Sequence, residues 1–208
     1  MILKKIEVGP LGVNCYIVGD EKTKEAAVVD PGGDVDAILA LLKKEGLTCR
    51  QIINTHAHFD HVGGNARLKE ATGADILTHP DEASSLAHVD DAAKMFGINS
   101  ENSPPADKLV TEGDIVEIGE IKARIAELHG HSPCGIALIF DEEKLVIVGD
   151  TLFAGSIGRT DFPGGSYDAL IQDIQNKLFT LPDETVVLPG HLGETTIGRE
   201  KRHNPFFS

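Results

Sequence analysis

The chain has 208 residues, and its 19 Lys and Arg against 33 Asp and Glu give a formal net charge of −14. Apolar residues make up 41% and charged residues 25%, a globular composition that argues against a disordered chain. The acidic balance disfavours nucleic acid as a partner, and no apolar run approaches the roughly 18 residues of a membrane span. The first residues lack the apolar core of a signal peptide, so we expect a cytoplasmic protein with no membrane partner. The three cysteines show no C-x-x-C spacing, which favours a reducing compartment.

The first half of the chain is predicted to alternate short strands with helices. Val35, Ile38 and Leu42 recur at helical spacing before Gly46, which predicts a helix that ends there. A second, short helix is predicted over 65–71. Predicted strands cover 3–8, 15–18, 26–29, 51–54 and 76–78. Residues 80–96 are predicted to be a broken helix, and residues 97–107, which carry Gly, Asn, Ser and Pro-Pro, a long connector.

The second half is predicted to be richer in strands. These cover 115–118, 122–128, 136–140, 145–148 and 186–188. A Gly-rich loop over 155–165 precedes the clearest amphipathic helix, which runs from Tyr167 towards Leu181 with Ser166 as its N-cap. This mixture predicts an α/β protein with sheets covered by helices, and we treat residues 1–208 as a single domain.

The strongest chemical signal is the pattern H-x-H-x-D-H, which directly follows a buried strand. Imidazole and carboxylate groups are the ligands that a borderline divalent metal takes. Alternate residues in extended backbone point the same way, so we expect His56 and His58 to bind one ion. We expect Asp60 and His61 to turn to the other side and reach a second ion.

Three further polar residues lie just past the carboxyl ends of predicted strands, where ligand sites collect in α/β sheets. They are His131, Asp150 and His191. Together with the histidine cluster they make seven ligands from four strand ends. Two four-coordinate ions that share one carboxylate need about that number.

These motifs, taken together and in this order, resemble the metallo-β-lactamase-fold hydrolase superfamily. The motifs are H-x-H-x-D-H, Gly130-His131-Ser132, Gly149-Asp150-Thr151 and Pro189-Gly190-His191. The resemblance implies an αββα sandwich of two mixed β-sheets flanked by helices. It also implies that the first ion is held by His56, His58 and His131, the second by Asp60, His61 and His191, and that Asp150 bridges both.

Two segments, 155–165 and 195–200, are similar to the short glyoxalase II-like (hydroxyacylglutathione hydrolase-like) group. That similarity implies cleavage of a thioester such as S-lactoylglutathione by a metal-bound hydroxide, with Asp60 and Asp150 as catalytic carboxylates. Two metal ions lower the pKa of water to about 7, so no side-chain nucleophile is needed. Full-length glyoxalase II carries a helical domain that contacts glutathione. We expect none here, and this leaves recognition of glutathione open.

The substrate and the metal are less defined. Arg159 is expected either to bind a substrate carboxylate or to fix its loop through Asp161. Tyr16 is the other candidate for substrate contact, with a place in the core as the alternative reading. Zinc is the first metal expected, with iron or manganese as alternatives. The expected partner is a small-molecule thioester, and the chain is expected to be a monomer or a homodimer.

Other activities remain open from the sequence. An iron-dependent persulfide (sulfur) dioxygenase of the same fold would use His56, His131 and Asp150 as a facial triad. A lactonase or β-lactamase would use the same shared-carboxylate centre. Outside these classes, a non-catalytic metal-binding protein would keep the metal and show no turnover.

Overall fold

The structure is a computed structural model that describes residues 1–207, and these fall into two compact units. The first unit comprises Met1–Val110 together with Glu117–Lys122. The second comprises Thr111–Val116 and the residues from Ala123 onward. The single domain expected from the sequence stays a prediction.

The first unit contains a six-stranded mixed sheet whose strand order follows the chain. Its strands are β1 (Ile2–Val8), β2 (Val13–Gly19), β3 (Glu25–Val29), β4 (Thr48–Ile53), β5 (Asp75–Thr78) and β6 (Lys108–Leu109). The first three pair antiparallel, and β3 to β6 pair parallel. The carboxyl ends of β3, β4 and β5 therefore reach the same edge of this sheet.

Helices cover this sheet and close its apolar core. They are α1 (Val35–Glu45), α2 (Phe59–Val62), α3 (Asn65–Thr72), α4 (Pro80–Ala83), a 3-10 turn (Ser84–His88) and α5 (Val89–Lys94). Helix α1 confirms the predicted spacing, because Val35, Ile38 and Leu42 are all buried in the core of the unit. It ends where predicted, at Gly46, whose φ of 68° is a backbone conformation that glycine adopts without steric cost.

A second six-stranded mixed sheet lies mainly in the second unit, in the order β14-β13-β10-β9-β8-β7. Along the chain the strands are β7 (Ile115–Ile118), β8 (Ile121–Leu128), β9 (Gly135–Phe140), β10 (Leu145–Gly149), the small hairpin β11 (Leu152–Phe153) and β12 (Ser156–Ile157), β13 (Val186–Pro189) and β14 (Thr195–Thr196). β10 pairs parallel with β13, and β9 runs antiparallel to both β8 and β10. The carboxyl ends of β8, β10 and β13 therefore share one edge.

The helices of the second unit are α6 (Tyr167–Asp173), which continues into a π-helical turn (Ile174–Leu178), and α7 (Ile197–His203). Leu170, Ile174 and Leu178 are fully buried in the core of this unit. The Ser166 side chain caps α6 by accepting a hydrogen bond from Ala169 N (3.3 Å), as the sequence predicted.

Two mixed sheets with helices packed on them confirm the predicted α/β class. The sequence missed the two-residue strands β6, β11, β12 and β14, because alternation cannot be recognised over two residues. It also missed the short helices α2 and α7. Among residues 1–207, no helix combines the length and the apolar character that crossing a membrane requires.

Candidate functional site

The predicted histidine cluster lies at the carboxyl end of β4, where the chain turns into helix α2. His58 still has extended backbone (φ −67°, ψ 144°), whereas Asp60 and His61 lie within the helix. Thr55 and His56 lie in a bend after β4 and helix α2 begins at Phe59, so the alternation predicted for His56 and His58 does not rest on a continuous extended strand. A helical turn, and not strand alternation, places Asp60 and His61.

The ligand atoms of this cluster lie close together within the first unit. His56 Nε2 is 3.0 Å from His58 Nδ1, and His61 Nε2 is 3.8 Å from Asp60 Oδ2. His56 and His61 are buried, and their ring centroids are 4.1 Å apart. Three imidazoles and one carboxylate are thus gathered at one strand end, a donor set that suits zinc, iron or manganese.

Asp30, which the sequence analysis missed, orients this cluster from the end of β3. It is buried and has a φ of 53°, which is unusual for a residue other than glycine. Its carboxylate accepts hydrogen bonds from Thr55 N (2.8 Å) and Thr55 Oγ1 (2.7 Å), and it lies 3.0 Å from His61 Nδ1. An ionised carboxylate can only accept, so the His61 proton lies on Nδ1 and the Nε2 lone pair remains for a metal. The sequence offered one clue to Asp30, namely its position directly after a strand: Asp30 follows β3, just as the predicted ligand Asp150 follows β10.

The Thr55 hydroxyl extends this orientation to His56. Thr55 Oγ1 donates its proton to Asp30 and lies 3.0 Å from His56 Nδ1. The hydroxyl oxygen therefore accepts from His56 Nδ1, which leaves the lone pair of this ring on Nε2. One buried carboxylate thus sets the orientation of two predicted ligands, one directly and one through a hydroxyl.

Backbone contacts fix the loop that carries these residues. Ala57 N donates a hydrogen bond to Glu82 Oε2 (2.9 Å), and the Glu82 side chain is buried. Gly32 lies so close to Asp60 that a Cβ at this position would overlap the Asp60 carbonyl oxygen. The loop after β3 can therefore approach α2 only because residue 32 is glycine.

The second unit brings its three predicted ligands to one edge of its sheet. His131 follows β8, Asp150 follows β10 and His191 follows β13. Asp150 Oδ2 lies 3.8 Å from His131 Nε2 and 3.6 Å from His191 Nε2. The three predicted ligands of this unit therefore lie close together at the edge of its sheet.

The segment around Gly158 holds His131 from the side opposite to Asp150. His131 Nδ1 is 2.9 Å from the carbonyl oxygen of Arg159. A carbonyl can only accept, so the ring proton lies on Nδ1 and the lone pair lies on Nε2. Gly158 N donates to Thr151 O (3.1 Å), and a Cβ on Gly158 would overlap the Asp150 carbonyl oxygen.

The Arg159 side chain, predicted to bind substrate or to fix its loop, is engaged by its own loop. Its Nε and one terminal nitrogen donate to the two carboxylate oxygens of Asp161, both at 2.8 Å. The guanidinium carbon lies 3.7 Å from the centre of the Phe162 ring. The hydrogen-bonded guanidinium lowers the pKa of Asp161 to about 2. The loop-fixing reading agrees with these contacts, and substrate binding by Arg159 stays a prediction.

Tyr16 and His129 have local surroundings of their own. Tyr16 lies in β2 and is 2% exposed, which agrees with the core reading, while its contact with substrate stays a prediction. His129 Nδ1 lies 2.7 Å from Asp173 Oδ2, which also accepts from His129 N (2.8 Å). Asp173 thus fixes the orientation of the His129 ring.

A cleft of about 640 Å³ lies within the first unit and reaches Asp60. Its walls include Phe59 and Ile98 as apolar groups and the charged residues Glu101 and Arg67. The Arg67 guanidinium is paired with a neighbouring carboxylate on helix α1 (2.6 Å). A volume of this size is typical of sites for small molecules.

Comparisons with known proteins agree with these features. The model of the metallo-beta-lactamase superfamily matches residues 8–191. Hydroxyacylglutathione hydrolase GloC of Haemophilus influenzae is 36% identical over 210 residues, which cover 100% of this chain and 99% of the relative. The crystal structure of BLEG-1 B3 metallo-beta-lactamase has a TM-score of 0.93 at 36% identity and covers 100% of both chains. The di-iron-bound form of TTHA1623 has a TM-score of 0.90 at 37% identity, covering 98% of this chain and 99% of that one. Since the family model spans most of the sequence and these relatives match it from end to end, the chain belongs to the metallo-β-lactamase superfamily.

Proposed function

We propose that this protein is a metal-dependent hydrolase that uses two divalent ions to cleave small-molecule thioesters, with S-lactoylglutathione as the first substrate to test. The similarity to a hydroxyacylglutathione hydrolase supports a thioester substrate. The proposal keeps the ligands that the resemblance implied. These are His56, His58 and His131 for the first ion, Asp60, His61 and His191 for the second, and Asp150 for both.

The orientation of the imidazoles carries this proposal. His61 Nδ1 faces the Asp30 carboxylate, and His131 Nδ1 faces the Arg159 carbonyl. Histidines that bind metals almost always donate their other ring nitrogen to an acceptor of this kind. The two units therefore each present histidines in the tautomer that a divalent ion requires.

The chemistry of the donor set also fits two divalent ions. When bound, such ions lower the pKa of a water to about 7 and polarise a carbonyl group. The carboxylates of Asp60 and Asp150 offset only half of the charge of two divalent ions, which leaves a positive centre. A positive centre stabilises the anionic oxygen and the thiolate that form when a thioester is cleaved.

Metal analysis of protein purified without added metal is the first test. We expect two ions per chain, with zinc first and iron or manganese as alternatives. The similarity to a di-iron-bound structure makes iron the principal alternative. Asp150→Ala is expected to remove both activity and the second ion, because the bridging ligand is lost. Fully active protein with a single ion would refute the dinuclear proposal.

The activity test compares thiol release from a thioester in air and under argon. We expect equal rates, since water is the only co-substrate. His191→Ala is expected to lose about two orders of magnitude or more, as removal of a metal ligand does. The matched control His203→Ala changes an exposed histidine on α7 and is expected to keep full activity.

The other candidate activities are outcomes of the same assay. Oxygen consumption with a glutathione persulfide, with thioesters left uncut, would identify the dioxygenase. Turnover of a chromogenic cephalosporin would identify a β-lactamase, an activity that the similarity to BLEG-1 makes worth testing. Turnover of a lactone alone would identify a lactonase, and bound metal without any turnover would identify a non-catalytic metal-binding protein. A cytoplasmic location, a monomer or homodimer, and the absence of nucleic-acid and membrane partners stay predictions.

A further inference from the structure

We propose that the side chain of Arg159 is a positioning residue for His131: by binding Asp161 and Phe162, it holds its own carbonyl oxygen on His131 Nδ1. The proposal assigns to Arg159 a role in metal binding that does not involve contact with substrate. It rests on the proposed function in one respect, namely that His131 is a metal ligand.

The Arg159 side chain is about half exposed and contacts two neighbours in its own loop, Asp161 and Phe162. Both hydrogen bonds to Asp161 measure 2.8 Å, so the guanidinium uses its planar fork against both carboxylate oxygens. Phe162 stacks under the same plane at 3.7 Å. Each contact spans only two or three residues along the chain. Together they restrict the backbone of residues 159–162 and not only the side chains.

We call the contacts of Arg159 with Asp161 and Phe162 the clamp, and a backbone hydrogen bond lies on either side of it, one to a residue outside the loop and one within the loop. Gly158 N donates to Thr151 O (3.1 Å), directly after the predicted ligand Asp150. Gly165 N donates to Phe162 O (2.8 Å), which closes the loop on its far side. The Arg159 carbonyl lies between these anchors, so a change in the clamp moves an oxygen that faces His131.

The position of this oxygen matters because it selects the tautomer of His131. The carbonyl lies 2.9 Å from Nδ1 and can only accept, so it keeps the ring proton on that nitrogen. The opposite nitrogen, Nε2, then carries the lone pair and faces Asp150 Oδ2 at 3.8 Å. If the carbonyl moves away, the tautomer with its proton on Nε2 competes, and that tautomer cannot bind a metal through Nε2.

Two substitutions separate this role from binding of a substrate carboxylate. Arg159→Lys keeps the positive charge but loses the planar fork, so an anion-binding role would largely survive and the clamp would not. Asp161→Asn breaks the same clamp and leaves Arg159 intact. The positioning role predicts that both variants bind metal more weakly and to a similar extent. An anion-binding role predicts that metal affinity stays unchanged in both variants, and that Asp161→Asn binds anionic substrates more tightly.

The first readout is zinc affinity, measured by competition with a chromophoric chelator. We expect both variants to bind zinc about tenfold to a hundredfold more weakly, the usual effect of losing a partner of a metal ligand. The second readout is the ¹⁵N chemical shifts of the His131 ring in metal-free protein at pH 8. We expect the proton to shift in part from Nδ1 to Nε2 in both variants, a change that a merely structural role of the loop would not produce.

The chain contains a matched control pair in the same unit. Arg124 donates to both carboxylate oxygens of Asp141 at 3.2 and 3.1 Å, and this pair links strand β8 to the residue that follows β9. Arg124→Lys is expected to keep zinc affinity within twofold of the parent protein. Unchanged zinc affinity and an unchanged His131 tautomer in both clamp variants would overturn the proposal.

His131→Ala distinguishes failure of this proposal from failure of the proposed function. If His131→Ala binds zinc as the parent protein does, His131 is not a ligand and the proposed function is wrong in this respect. If His131→Ala loses zinc while the clamp variants keep it, only the positioning role of Arg159 is refuted.

Discussion

Replacing Asp30 by asparagine tests how far one buried carboxylate controls the histidines of the first unit. Oδ1 of the new side chain still accepts from Thr55 N, but an NH₂ group takes the place of Oδ2. That group faces Thr55 Oγ1 and His61 Nδ1, which lie 2.7 and 3.0 Å from Oδ2 in the parent protein. Because the NH₂ group donates, His61 must accept at Nδ1 and carry its proton on Nε2. The alternative amide orientation is less favourable still, because it places the NH₂ group opposite the Thr55 N–H, and two donors cannot form a hydrogen bond with each other.

The expected magnitude follows from these contacts. Hydrogen bonds to a charged group contribute about 1.5–3 kcal/mol and neutral ones about 1 kcal/mol. All three hydrogen bonds at Asp30 lose their charged acceptor, so the free energy of unfolding of the metal-free protein should fall by at least about 2 kcal/mol. Metal affinity at His61 should fall about 10- to 100-fold, because its Nε2 is now protonated. Urea denaturation measures the first quantity and zinc titration the second.

Asp20 provides the matched control within the first unit. It is buried and accepts hydrogen bonds from Lys22 N (2.9 Å), Glu120 N (2.7 Å) and Thr23 Oγ1 (3.0 Å). Asp20→Asn should therefore lower stability and leave zinc affinity within twofold of the parent protein. Normal zinc affinity in Asp30→Asn would refute the reasoning. Equal loss of affinity in both variants would show that general destabilisation is the cause.

Three other changes test the structure away from Asp30. Gly158→Ala should lower the free energy of unfolding by about 2 kcal/mol, because the new Cβ overlaps the Asp150 carbonyl oxygen; an unchanged urea midpoint would contradict this. Burial raises the pKa of the Cys49 thiol to about 11, so its thiolate at pH 8 should be roughly 100-fold rarer than that of an ordinary thiol. Mass spectrometry after brief alkylation should find Cys49 unmodified until the protein is unfolded, and rapid labelling of the native protein would contradict its burial. Glu200→Ala should lower the free energy of unfolding by about 3 kcal/mol, because the buried carboxylate accepts hydrogen bonds from Gly155 N (2.8 Å) and from the side chains of Thr195 and Asn204. Urea unfolding measures this loss. A loss below about 1 kcal/mol would show that water takes the place of the carboxylate.

Features that depend on neighbours along the chain could be predicted from the sequence alone. The apolar spacing of helix α1 and the Ser166 cap of helix α6 are local, and the structure confirms both. The H-x-H-x-D-H pattern is local as well, and with the three later motifs it was sufficient to indicate the family. The sequence did not predict helix α2, since four residues are too few for a helical period to be recognised.

Only the tertiary structure decided how the predicted ligands are oriented. Asp30 lies 31 residues before His61 along the chain, and parallel pairing of β3 with β4 brings the two together. Arg159 acts on His131 through a backbone carbonyl, an atom that every residue possesses and that no sequence pattern can single out. The identity of a ligand is a property of its side chain and is written in the sequence. The tautomer of that ligand is set by the atom that faces its other nitrogen, and folding alone determines which atom that is.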